Sequence, residues 1–179
     1  YTATLPVFWA GFALMLGCSD LVLGLCFSLF FLPPALQILI PLLAKKTGNI
    51  KSIAVLSGFI QRHIWLVLII LPFINIPQEQ KIGVFILTLF VSGSAGTFAM
   101  NAYNSIVHNF FRQAGKKAFI VKTALNFILF SASALFFAAM LDKYDSYDMT
   151  PDGFFLVWLV AVFCGFWGFL IFTKKFTAV

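Results

Sequence analysis

Acidic side chains are scarce in this 179-residue chain, and none of them stands inside an apolar run. Asp20, Glu79, Asp142, Asp145, Asp148 and Asp152 are the whole set, and each falls in a break between runs. A buried pair of carboxylates for acid–base or metal chemistry is therefore excluded from this chain. Charged residues make up only 10%. Soluble domains carry about 25%, so this surface cannot be solvated in the ordinary way. Cys18, Cys26 and Cys164 form no CxxC pair and are odd in number, which argues against a zinc or redox centre. They read as small buried hydrophobes. HExxH, a paired NPA and a TVGYG filter are all missing. Gly93-Ser94-Ala95-Gly96 sets its serine one place too early for a GxSG intramembrane protease, and the last apolar run has no histidine to partner it. The pI is near 9.4, yet the basic residues lie in short clusters between apolar runs, so nucleic acid is not a partner. No enzyme and no cofactor is implied. The chain starts at Tyr1 without a basic n-region, so no signal peptide is read there. A longer protein is expected upstream.

What remains is grease. Hydrophobic residues are 61% of the chain and aromatics 18%. Apolar runs of about 20 residues recur along its length, the pattern of membrane-spanning helices. Six helices are predicted, at about residues 1–17, 21–44, 51–74, 82–111, 117–141 and 153–173, in one all-α transmembrane bundle. The first is too short to span and is expected to be truncated. Pro33, Pro34 and Pro41 predict a kinked second helix lining a protein interior. The fourth, at about 30 residues and ~45 Å, should project beyond a ~30 Å hydrocarbon core.

Charge gives sidedness. Lys45, Lys46, Lys51, Arg112, Lys116, Lys117, Lys122, Lys174 and Lys175 fall at one end, against Lys81, Lys143 and all six acids at the other. The positive-inside rule puts the basic end, and both termini, in the cytoplasm, in a cytoplasmic (inner or plasma) membrane.

Two features break the grease. Ser94, Thr97, Asn101, Asn104 and His108 are spaced three, four, three and four apart. On a helix they fall within an arc of roughly 80°, one polar seam on an otherwise apolar cylinder. The seam is expected to line a cavity at Ser94, Thr97, Asn101 and Asn104, with His108 at its mouth. Arg62 lies near the middle of the third helix, flanked by Gln61 and His63, which point about 100° to either side of it. A charge at that depth costs a few kcal/mol unless it is partnered. Arg62 reads either as a clamp bonded to carbonyls at a helix crossing or as a group for ligand or ion passage.

The stretch LPPALQILIPLLAKKTGNIKSIAVLSGFIQR resembles the second helix, short loop and third helix of major facilitator superfamily transporters. Their loop reads G-x-L-A-D-R-x-G-R-K. Residues 41–50 keep Leu43-Ala44, the basic Lys46 and Gly48 at matching spacing. Pro41 stands for the first Gly, Lys45 for the acid, and Asn49-Ile50 for the basic pair, so the family's charge-relay latch is not carried over. GFALMLGCSDLVLGLCFSLFFL looks like the end of helix one, the external turn and the start of helix two. The resemblance spans the whole chain as the first six of twelve helices, a 3+3 inverted repeat. It implies alternating-access transport of a small polar solute, with a second six-helix half completing the path as a missing C-terminal half or a partner chain. In this family helices one and four commonly line the cavity, which suits the seam. The alternative is a non-transporting membrane subunit or scaffold that uses the seam to hold a partner helix.

Overall fold

In a computed structural model the described residues run from 6 to 176, without 115 and 148. Side chains are described for these except at 6, 7, 30, 31, 44, 47, 105–119, 122 and 171–176. Every regular element among them is helical: α1 Pro6–Met15, α2 Asp20–Phe31, α3 Ile40–Thr47, α4 Ile50–His63, α5 Leu66–Ile70, α6 Gln78–Ala114, α7 Lys116–Asp145 and α8 Thr150–Phe176. Short 3-10 turns at Pro33–Leu39 and Leu71–Phe73 join α2 to α3 and extend α5.

Five stretches are long and apolar enough to cross a membrane: Asp20–Leu43, Ile50–Phe73, Gln78–Asn104, Thr123–Asp145 and Thr150–Leu170. They correspond to the second through sixth expected helices. The 10 residues of α1 reach about 15 Å, half the thickness of a hydrocarbon core, and positions 1–5 lie outside the described residues.

The breaks have local causes. Pro33 and Pro34 lack an N–H and crowd the preceding turn, so the α-hydrogen bonding stops at Phe31 and resumes at Ile40. The bent segment is pressed on α6. A methyl added at Gly93 would come within 3.0 Å of Pro33 Cγ, so glycine is what lets the ring seat. The third span also breaks, between His63 and Leu66, where Val67 N–H bonds Ile64 O at 3.1 Å and Leu68 N–H bonds Trp65 O at 3.0 Å. No proline sits there. The indole of Trp65 anchors the tightened turn, stacked on Trp158 of α8 with centroids 4.9 Å apart and planes 7° from parallel.

Gly17, at φ 74, turns α1 into α2, and Ser19 caps α2 by accepting from Val22 N–H. Gln78 Nε2 donates to Leu16 O at 2.8 Å, tying that turn to the start of α6. At the opposite end Gly48, at φ 65, reverses the chain, and Asn49 Oδ1 accepts from Ser52 N–H at 3.1 Å to cap α4. The expected hydrophilic loop of residues 142–152 shrinks to 146–149, because α7 continues to Asp145 and α8 already begins at Thr150. Thr150 Oγ1 donates to Asp145 Oδ1 at 2.8 Å across it. Polar residues continue a helix where it leaves the hydrocarbon and water can solvate its surface.

The core sits toward the acidic end. Trp9 and Phe12 of α1, Phe85 of α6, Trp65, and Phe154 and Trp158 of α8 are all buried there. Phe12 meets Phe85 and Phe154 at centroid distances of 5.6 and 5.5 Å. α4 packs along α6 on one side and α8 on the other, while α7 touches mainly α8. α7 is the most exposed span, with Phe127 at 68% and Leu135 at 73%. Cys18 and Cys26 are buried as expected, whereas Cys164 is exposed on α8. All three are free thiols.

Candidate functional site

α6 packs through small side chains. Gly58 of α4 faces Ala99, since a methyl added there would stand 3.9 Å from Ala99 Cβ, and Gly96 receives the amide end of Gln61. Phe85, Thr88, Leu89, Ser92, Ala95, Ala99 and Ala102 form the buried stripe, recurring at three and four residues. At about 100° per residue, the middle of the seam lies roughly 160° around the helix from the middle of this packed face. The polar seam is therefore on the side of α6 turned away from α4.

Its members differ. Ser94 is half-buried, and its Oγ is closed off with no hydrogen-bond partner. Thr97 and Asn101 are half-buried neighbours one turn apart, with Asn101 Nδ2 donating to Thr97 O at 2.9 Å. Asn104 is exposed. The helix runs through position 108, but the His108 side chain lies outside the described residues. Four of the five thus share one flank of α6, and among them only Asn104 is exposed. Thr88 and Ser92, polar residues on the packed side, are buried, and Thr88 satisfies its hydroxyl on Val84 O at 2.8 Å. Their turn-by-turn spacing to the buried alanines is the signal that separates them from the seam.

Arg62 stands apart from the seam. Nη1 donates to Gly58 O at 2.9 Å, one turn back along α4. Its stem runs over Gly165 of α8, where an added methyl would meet Cβ, Cγ and Cδ at 3.2–3.4 Å. His63 points elsewhere: its ring stacks on Phe59 at 4.1 Å and meets Phe166 edge-on at 5.8 Å. Its Nδ1 lies 2.8 Å from Phe59 O, and Nε2 is buried with no partner among the described residues. Gln61, Arg62 and His63 thus go to three different places, as their helical spacing requires.

These residues can form two kinds of contact. The seam offers amides and hydroxyls, donors and acceptors without charge. Arg62 offers a fixed cation. No group of His, Cys, Asp and Glu among the described residues could hold a metal ion. Compared with family models, with curated proteins and with solved structures, the chain gives no match in any of the three.

Proposed function

We propose that this chain is one half of a membrane transporter of the major facilitator type, a secondary carrier or facilitator working by alternating access. The observation that carries the reading is the place of the seam. Asn104 is exposed and Asn101 half-buried on the flank of α6 turned away from α4. Amides facing lipid tails are costly, so such a flank calls for water, solute or a second protein body. A second six-helix bundle opposite α6 would enclose the seam in a cavity, with a small polar solute held by Asn101, Asn104, Thr97 and Ser94. The loop residues Leu43-Ala44, Lys46 and Gly48 and the one-sided basic clusters support the same reading. In it, both termini and the basic end face the cytoplasm.

Accessibility tests this without knowing the solute. With the three native cysteines replaced, single cysteines are placed at 101, at 104 and at 127, a lipid-side control on α7. A charged, membrane-impermeant thiol reagent should modify 101 and 104 in membranes and spare 127. Reactivity at 101 as low as at 127 would retire the cavity. The scaffold alternative draws on the same flank and predicts protection at 101 in native membranes that detergent extraction removes.

A further inference from the structure

We propose that Arg62 anchors an oxyanion-binding site where α4 packs on α8, separate from the α6 seam. Arg62 is the sole ionised residue that the sequence places well inside a span, and every carboxylate of the chain lies at or beyond a span end. Among the described residues no ion pair forms, and there Arg62 makes one hydrogen bond, to Gly58 O. A carbonyl takes up one N–H but does not neutralise a cation. With respect to the described residues four of the five guanidinium N–H donors remain, in the planar fork that suits a phosphate or carboxylate.

The surroundings favour a ligand from outside the chain. The guanidinium folds back toward the basic end, and Gly58 lies roughly 12 Å along α4 from its start at Ile50. The side chain is half-buried, so its fork is reachable. Gly58 lies beneath the guanidinium and Gly165 of α8 beside its stem, and neither carries a side chain to cover it. The adjacent His63 ring is turned to Phe59 and Phe166. Phosphate chemistry can arrive from two sources: a free anion through water from the basic end, or the headgroup of an anionic lipid whose phosphate is drawn inward by a snorkelling side chain. The site stands whether or not the chain transports.

The test uses the purified chain in nanodiscs. One arm has phosphatidylcholine discs titrated with inorganic phosphate against chloride at equal ionic strength. The other replaces part of the lipid with phosphatidylglycerol in phosphate-free buffer. The thermal unfolding midpoint should rise in one arm, naming the source, and Arg62→Gln should abolish the rise. Arg62→Lys should weaken the apparent affinity roughly tenfold or more, the worth of a lost charge-assisted bond. Arg62 and Arg112 are the only arginines, so Arg112→Lys with 15N-arginine leaves one Nε signal. That signal should shift in the same arm, which keeps the site testable if Arg62→Gln does not fold. No rise and no shift in either arm, or a rise that survives Arg62→Gln, overturns the proposal.

Discussion

Glycines in this bundle differ in what faces them, and that decides what each can tolerate. At Gly93 the neighbour is the ring of Pro33, which has no rotamer to escape into. Gly93→Ala should therefore cost about 1–3 kcal/mol of stability, as overpacking does, and Pro33→Ala should recover part of it in the double variant. At Gly96 the neighbour is the amide end of Gln61, 2.7 Å from the added methyl but free to swing. Gly96→Ala should be close to neutral in the same unfolding assay. Equal losses at both positions would show that backbone approach, not side-chain stiffness, sets the limit. Asn101 and Asn104 belong to this scale too. They lie away from the packed face, so Asn101→Ala and Asn104→Ala should each change stability by no more than about 0.6 kcal/mol, the average worth of a polar contact in a membrane bundle. A loss of several times that would mark the seam as packing, whatever its accessibility.

Elements break here for two reasons, of which the sequence displays one. The interruption of the second span is written in Pro33 and Pro34. The interruption after His63 has no such mark. It coincides with Trp65, buried and stacked flat on Trp158 with Phe12 edge-on to Trp158 at 6.1 Å. Trp65→Ala should remove the stack and cost about 3–5 kcal/mol. Trp65→Phe, which keeps a ring in the slot, should cost distinctly less. If the two variants melt alike, the stack is not what holds the broken span to α8. The helix ends show a related contrast. Composition marks residues 142–152 as loop, but Thr150 and Asp145 close a turn of four residues, because hydration at the membrane edge lets a helix carry polar side chains.

For the molecule as a whole, the charges predict an orientation that can be measured directly. Lys46 and Ser146 are exposed at opposite ends of the bundle. Single cysteines at these positions in intact cells should react differently: Ser146→Cys with impermeant reagent from outside, Lys46→Cys only after the membrane is opened. Labelling of position 46 but not 146 from outside would reverse the topology. Among the five long spans α7 is the one least buried by its neighbours, with Phe127 and Leu135 both exposed.

The sequence by itself determined that the chain is helical, which stretches are long and apolar enough to cross a membrane, and which polar residues share one helical face. All of these follow from local terms, hydropathy over about 20 residues and a period of 3.6. It also placed Arg62, Gln61 and His63 in three directions, since 100° per residue permits nothing else. Only the tertiary structure decided which face of α6 is packed, because the alanine stripe and the asparagine seam are equally regular along the helix. The choice is made by Gly58 and Gln61 arriving from α4, far away in sequence. It likewise decided that Arg62 rests on α8 at Gly165, that the third span breaks beside Trp65 stacked on Trp158, and that Cys164 is exposed. Each depends on which helix stands opposite, and no local periodicity encodes the neighbour.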